Sequence, residues 1–192
     1  MLDKIKKIRE KTGAGVVNIK KALEEAKGSE EKAIEILKKQ GHDKALKKAD
    51  RDAGEGIVVS YVHSNNRVGA LVKLFCETDF VARNEEFQEL GKDIAMHVTA
   101  MSPKYLKPED VTVEEVEKEK EIWKAQLKNE GKPENIMENI MEGKEKKFRE
   151  EVSLLTQPFV KDPSMQVKDL IAEKIGKIGE NIQLGEFVRF EL

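Results

Sequence analysis

The spacing of the apolar residues changes at Ile57, and this change limits the possible folds more than any other feature of the sequence. Before it, apolar side chains recur every three or four residues, as in helices that bury one face. Residues 57–63 are instead mostly β-branched or aromatic. In residues 68–76, every second residue is apolar and is expected to lie on one face. The polar turn 64–67 separates the two runs. This pattern is typical of a β-hairpin. The sequence therefore predicts a helical N-terminal part followed by a part that contains a sheet.

The helical part is predicted to contain three helices within residues 2–39. Ser29 is a suitable N-cap for the third helix, and Gly41 is typical of the position just after a helix end. We therefore expect the third helix to stop at Gly41, with a helical lead-out and then a linker in residues 42–56. Polar, basic and then glycine-rich residues follow, so we expect a three-helix module at 1–52 and a core domain at 53–192.

Beyond the hairpin, the pattern predicts two helices and a last strand. The first helix spans about 85–101, and the second spans about 165–178 and is closed by Gly179. The last strand alternates, and its apolar residues are expected to face one way: Ile182, Leu184, Val188, Phe190 and Leu192. An antiparallel three-stranded sheet covered on one face by helices belongs to the α+β class.

The segment 112–150 is strongly charged and is predicted to form two helices joined by a short turn. The apolar stripes on both helices are narrow. Two alternatives follow. In the first, the helical hairpin projects from the core or packs on a partner. In the second, it is a solvated helix pair that lies against the sheet.

Charge and composition argue against several classes of function. Charged residues make up 38% of the chain but nearly cancel to a net charge of −2, and aromatic residues make up only 5%, so direct nucleic-acid binding is not expected. Residues 1–52 carry 15 basic and 10 acidic side chains, which keeps nucleic-acid binding through this module open as an alternative. No apolar run is long enough to span a membrane, and no signal peptide is evident. We expect a cytoplasmic protein.

No constellation of residues predicts catalysis, a metal site or a cofactor. The three histidines are scattered, and the glycines at 13 and 15 follow a helix and lack the third glycine of a dinucleotide loop. Cys76 is expected to be a small core residue. His97 is expected to be packed or to lie at an interface, because a hydrolase that used it as a base would need a nucleophile that the sequence does not offer. The chain is therefore not expected to be an enzyme.

The segment between the β-hairpin and the next helix contains an unexpected aromatic residue. Thr78 and Asp79 are typical of a helix start, but Phe80 stands where a polar residue is common. One interpretation is a hydrophobic staple, in which Phe80 packs back on its own helix. The other is an exposed Asp–Phe pair that enters a partner protein, as aromatic anchors of interfaces do. These residues alone leave both interpretations open.

Several motifs in order resemble those of the translation elongation factor Ts family, the nucleotide-exchange factors of elongation factor Tu. The motifs are Arg9–Gly15, Lys20–Leu23, Cys76–Asn84, Ile94–Val98, Gln157–Val160 and Ile178–Ile182. They extend over almost the whole chain. Because the chain ends at Leu192, directly after the last predicted strand, the resemblance is to the short form with a single core.

The resemblance implies a fold and a set of contacts with the partner. The N-terminal module would resemble a ubiquitin-associated domain and touch the nucleotide-binding domain of elongation factor Tu, and the core would reach the magnesium site of that protein. The residues assigned in this way are Arg9, Val16 and Val17 in the module and Thr78, Asp79, Phe80 and Val81 in the core. Members of the family often have methionine where this chain has Val16 and Val17.

The resemblance also implies what the chain does. It would bind elongation factor Tu in its GDP form, displace magnesium, and promote replacement of GDP by GTP during translation elongation. Short members of the family are thought to act as homodimers. A plain binding module, which docks through the N-terminal helices without affecting nucleotide release, is the alternative function.

Overall fold

The computed structural model of the chain describes residues 2–12, 14–131 and 133–192, apart from the side chains of Glu10, Lys11 and Asn135. Gly13, which belongs to the first motif, lies outside the described residues. The helices are α1 (Leu2–Thr12), α2 (Val16–Glu25), α3 (Glu30–Leu46), α4 (Asp79–Ala82), α5 (Glu85–Met101), α6 (Val113–Asn129), α7 (Glu134–Glu151) and α8 (Val167–Ile178). The strands are β1 (Glu55–Val62), β2 (Val68–Cys76), β3 (Pro158–Phe159), β4 (Asp162–Gln166) and β5 (Ile182–Glu191).

The three N-terminal helices pack around a small core of their own. The buried residues of this core are Ile5, Ile8, Ile19, Ala22, Leu23, Ala26, Ala33 and Leu37. Ser29 caps α3 as predicted, because its side chain accepts a hydrogen bond from the backbone N–H of Lys32 at 3.4 Å. The prediction of three helices in this part of the chain is confirmed.

The prediction that α3 ends at Gly41 is wrong, since the helix continues to Leu46. Gly41 lies where α3 packs closely against α8. A Cβ atom at Gly176 of α8 would lie 3.4 Å from the Cα atom of Gly41, and a Cβ atom at Gly41 would lie 3.9 Å from the carbonyl oxygen of Ala172. The contacts with α8 favour a helix that continues past Gly41, and the distances are those of ordinary van der Waals contact, so the packing does not itself require glycine.

The main sheet is antiparallel, with the strand order β1-β2-β5. Strand β2 is central, and α5 and α8 cover one face of the sheet. The main core lies between this face and the two helices. It buries Ala70, Val72, Leu74 and Cys76 of β2, Phe87, Leu90, Ile94 and Val98 of α5, and Val167, Leu170, Ile171 and Ile175 of α8. The α+β class and the three-stranded antiparallel sheet are confirmed.

A β-bulge in β5 changes which of its side chains face the helices. Leu74 pairs with Leu184, and Val72 pairs with Phe187, so a single residue of β2 lies opposite two residues of β5. Because successive side chains alternate between faces, the extra residue reverses the alternation. One of the two residues that lie opposite the single residue of β2 is Gly185, where a Cβ atom would lie 2.5 Å from the ring of Phe75.

The bulge corrects the predicted orientation of the last strand. Ile182 and Leu184 face the core as expected, and beyond the bulge Phe187 packs against it. Val188 and Phe190 are 40% and 67% exposed on the other face of the sheet, and Leu192 is exposed as well. The prediction that all five apolar residues face one way is therefore wrong, because it assumed a strand without a bulge.

Helices α6 and α7 form the predicted hairpin and pack mainly on each other. The rings of Trp123 and Phe148 meet edge to face with centroids 5.8 Å apart, and Lys120 forms an ion pair with Glu145 at 2.9 Å. At the base of the hairpin, Arg149 donates hydrogen bonds to backbone carbonyls of the segment that leads into α6. Among the described residues, α6 and α7 contact mainly each other and the short segments at the base of the hairpin, so the structure favours the projecting hairpin over a pair that lies on the sheet.

Candidate functional site

The segment Thr78–Val81 forms a single helical turn directly after the central strand of the sheet. Thr78 is the N-cap of α4, and its hydroxyl oxygen accepts a hydrogen bond from the backbone N–H of Val81 at 3.4 Å. Asp79 is the first residue of the turn, where a negative charge is favoured, and it forms an ion pair with Arg83 at 3.0 Å. The N-cap Thr78 and the acidic Asp79 thus explain why the chain forms a helical turn here.

Phe80 is 80% exposed, although its neighbours are held in place. Val81 packs against the main core and Ala82 is buried in it. Since these two residues occupy the inward side of a one-turn helix, Phe80 is left pointing outward. The interpretation as a hydrophobic staple is therefore wrong, and Phe80 presents its ring to the solvent next to the charge of Asp79.

The start of this turn is fixed by a carboxylate from a distant part of the chain. Glu180, in the short connection between α8 and β5, accepts hydrogen bonds from the backbone N–H groups of Glu77 and Thr78, both at 3.1 Å. Its other oxygen accepts from the hydroxyl of Thr78 at 2.7 Å. The backbone N–H of Asn181 donates in turn to the carboxylate of Glu77 at 2.6 Å. Sequence reasoning missed this network, because nothing in the spacing of these residues shows that two segments about 100 positions apart meet.

Cys76 is buried at the end of β2, as predicted, and its thiol donates to the carbonyl oxygen of Thr78 at 3.2 Å. Burial raises the pKa of this thiol to about 11, and the nearby Glu180 carboxylate acts in the same direction. The thiol is therefore protonated at neutral pH and does not offer a nucleophile.

The residues predicted to bind a partner through the N-terminal module lie on its surface. Arg9 is exposed on α1, and Val16 and Val17 begin α2, where Val17 is 66% exposed. They belong to a different group of packed helices from the Thr78–Val81 segment, so the two predicted contact surfaces are separate.

His97 is fully buried, so the structure places it in the core and not at an interface. Its Nδ1 accepts from the backbone N–H of Val160 at 3.1 Å, and its Nε2 lies 3.0 Å from the side-chain oxygen of Gln157. Burial lowers the pKa of the imidazole, which leaves it neutral. With both ring nitrogens engaged, His97 offers no accessible base, and the assignment of His97 as a possible interface residue is corrected accordingly.

The part of the chain that the structure describes offers neither a cluster of metal ligands nor a membrane-crossing helix. Within residues 2–12, 14–131 and 133–192, no group of three or more histidine, cysteine, aspartate or glutamate residues is arranged to hold a metal ion. No helix in these ranges is long and apolar enough to cross a membrane.

The chain is similar to a known family over nearly its whole length. The family model described as elongation factor TS matches residues 3–192. The elongation factor Ts of Thermosipho melanesiensis is 59% identical over 186 residues, which is 97% of this chain and 95% of the relative. The proteins of the same name from Carboxydothermus hydrogenoformans and Thermotoga maritima are 55% and 54% identical, over 98% and 100% of this chain and 87% and 95% of the relatives. A match over almost the full length, by the family model and by these relatives, shows that the chain belongs to the elongation factor Ts family.

Proposed function

We propose that the chain is a guanine-nucleotide exchange factor that binds elongation factor Tu in its GDP form, displaces magnesium and promotes replacement of GDP by GTP during translation elongation. The observation that carries this proposal is the exposed ring of Phe80 on a turn that is anchored on both sides. A single exposed apolar residue is common on protein surfaces. An aromatic ring that the surrounding contacts hold outward, beside a carboxylate, is suited to enter a pocket of another protein.

The proposed mechanism needs no covalent step. A GTPase holds GDP through a phosphate-binding loop and a magnesium ion that bridges phosphate and protein. The Phe80 ring acts as a wedge that shifts the elements carrying the metal's supporting residues, while Asp79 competes for hydrogen-bond donors or repels the phosphate. Once the ion has left, the diphosphate charge is less well compensated and GDP dissociates faster. This chain makes and breaks no bond, so it is not an enzyme in the usual sense and takes no cofactor.

Linkage sets the thermodynamics of the cycle. If the factor weakens GDP binding by some ratio, GDP weakens binding of the factor by the same ratio. GTP from a larger pool then binds and releases the factor. The factor therefore changes the rate of nucleotide exchange and not its equilibrium.

The two separate hydrophobic cores support two domains with different contacts to the partner, a module at 1–52 and a core domain at 53–192. In this proposal Arg9, Val16 and Val17 bind the nucleotide-binding domain of elongation factor Tu, and the Thr78–Val81 segment acts at its magnesium site. The near-balanced net charge of −2 supports a factor that binds protein and not nucleic acid.

The uncovered face of the main sheet supports a homodimer. It exposes the apolar side chains of Val58, Val62, Leu71, Val188 and Phe190, and Leu71 pairs directly with Val188. Sheets with one apolar face commonly pack face to face. A second copy of the chain offers the same face, and a two-fold axis brings like surfaces together. Each subunit would then contribute one core with its own Phe80.

Stopped-flow release of a fluorescent GDP from elongation factor Tu tests the proposal. The chain is expected to accelerate release, and Phe80→Ala is expected to lower the maximum rate by about tenfold or more, as loss of a central interface residue does. Because Phe80 is exposed, the circular dichroism and thermal unfolding of the variant should match those of the wild type. Binding without acceleration would contradict the proposal and favour the plain binding module. Association that weakens steeply with added salt and requires RNA would favour the nucleic-acid alternative.

A further inference from the structure

The carboxylate of Glu180 stands out because three hydrogen bonds converge on it from the residues that precede α4. Two come from the backbone N–H groups of Glu77 and Thr78, and the third comes from the Thr78 hydroxyl. Glu180 belongs to neither predicted contact surface. Its partners are nevertheless the residues that determine where α4 begins.

The hydrogen bonds continue from Glu180 across the exposed part of the turn. The Thr78 hydroxyl donates to Glu180 and accepts from the backbone N–H of Val81. Asp79 and Phe80 lie between these two linked residues. Val81 is itself packed against the main core, so the turn is held at its N-terminal end by Glu180 and at its C-terminal end by apolar contacts.

A turn of this length cannot hold its own geometry. Helix nucleation is unfavourable, and isolated helices shorter than about 12 residues are marginal in water, whereas α4 has 4 residues. The direction in which Phe80 points is therefore set by the contacts of its neighbours. An error of about 1 Å in the placement of an acting group can reduce a rate by about a hundredfold.

The same connection also holds the linker that leads from the N-terminal helices. The side-chain amide of Asn181 donates to the carbonyl oxygen of Arg51 at 2.8 Å, and its backbone N–H donates to Glu77. Arg51 in turn lies 3.4 Å from the Glu77 carboxylate. Asn181 is buried, whereas the Arg51 side chain is 53% exposed. The segment before α4, the α8–β5 connection and the linker thus meet at one point.

We propose that Glu180 is a positioning residue for nucleotide exchange, which holds the turn of α4 so that Phe80 points in the orientation that displaces magnesium. The inference rests on the proposed function. Glu180 acts through its hydrogen bonds to Thr78. A purely structural role would lower stability without a specific link to Phe80.

A double-mutant cycle between Glu180→Ala and Phe80→Ala separates these roles. Fluorescent-GDP release from elongation factor Tu is measured over a range of factor concentrations, which gives a maximum rate and a half-saturating concentration for each variant. Glu180→Ala is expected to lower the maximum rate by about tenfold, with a smaller change in half-saturating concentration. In the Phe80→Ala background, the same substitution should cause no further loss, because there is no ring left to position.

Two further variants keep the test decisive. Glu151→Ala is the matched control, since this glutamate ends α7 away from α4 and from the uncovered sheet face, with its side chain 62% exposed and paired with Lys147, and it should leave exchange unchanged. Glu180→Gln retains the length of the side chain and one acceptor oxygen, so it should restore part of the rate. It also replaces Glu180→Ala in the cycle if the alanine variant does not fold.

The possible failures are distinguishable. If the wild-type chain does not accelerate GDP release, the proposed function fails and this role of Glu180 fails with it. If the wild type is active and Phe80→Ala is slow, but the Glu180 variants match the wild type, only the positioning role is overturned. It is also overturned if Glu180→Ala causes the same fold loss with and without the Phe80 ring.

Discussion

The Nε2 atom of His97 lies 3.0 Å from the side-chain oxygen of Gln157 inside the main core, while the other ring nitrogen accepts the backbone N–H of Val160. The hydrogen bond from Val160 requires an unprotonated Nδ1, so the imidazole is neutral with its proton on Nε2. Gln157 is fixed in turn, because its amide nitrogen donates to the carbonyl oxygen of Glu151 at 2.8 Å. This buried pair links α5 to the segment that follows α7.

The neutral state of His97 predicts that stability falls in mildly acidic solution. Burial lowers the pKa of this histidine from its ordinary value of 6.5. Below about 6.5 the unfolded chain binds a proton that the folded chain does not, so the free energy of unfolding decreases as the pH falls toward the lowered pKa. Urea unfolding between pH 5 and pH 8 (about the range in which histidine titrates) measures this slope.

His97→Gln should flatten the slope over that range, because its side chain does not titrate. An unchanged slope in His97→Gln would mean that other groups cause the pH dependence.

Gly54 and Gly56 lie two positions apart at the start of β1 but should respond differently to substitution. A Cβ atom at Gly56 would lie 2.2 Å from the carbonyl oxygen of Leu74 on the neighbouring strand, whereas a Cβ atom at Gly54 would meet nothing within 4 Å. Gly56→Ala should therefore destabilise the chain by about 1–3 kcal/mol. Gly54→Ala should change the free energy of unfolding by less than about 0.5 kcal/mol. Chemical denaturation of both variants checks the contrast, and equal effects would contradict the close approach of the two strands.

Local patterns were sufficient to predict the elements that depend on local signals. Ser29 and Gly179 marked helix ends correctly because capping depends on adjacent residues. Gly41 was wrongly assigned as a helix end because α3 continues there along α8, and the local sequence does not show this packing. The orientation of Val188 and Phe190 was missed for a related reason, since the bulge at Gly185 depends on the register with β2.

The candidate site shows the same limit. The sequence left the orientation of Phe80 open, and the exposed alternative follows from the packing of Val81 and Ala82, which the local pattern does not reveal. Glu180 was visible only as part of a motif that resembles the family. Its hydrogen bonds to Thr78 connect segments far apart in the chain, and only the tertiary structure brings them together.

The exposed apolar face of the sheet predicts that a single charge can separate the proposed homodimer. Val188→Glu places a carboxylate opposite Leu71 at this face, and burying it in an interface would be costly. We expect light scattering to give the dimer mass for the wild type and the monomer mass for this variant at micromolar concentration. Val113→Glu is the control, because Val113 is also an exposed valine, at 71%, but begins α6 away from the sheet. A monomeric wild type, or equal masses for both variants, would count against this interface.

The separation of the N-terminal surface from Phe80 predicts that the two surfaces affect different kinetic quantities. Val17 lies at the start of α2 with most of its side chain exposed, so Val17→Asp should leave the fold intact. It should raise the half-saturating concentration for GDP release by about tenfold, which is the effect of losing about 1.4 kcal/mol of interface contact. The maximum rate should stay near that of the wild type, because the Phe80 ring is unchanged. Val17→Met should lower the half-saturating concentration, since the longer side chain can bury more apolar surface against the partner. Stopped-flow titration of both variants measures the two quantities, and a fall in the maximum rate for Val17→Asp would mean that the N-terminal module takes part in releasing the nucleotide.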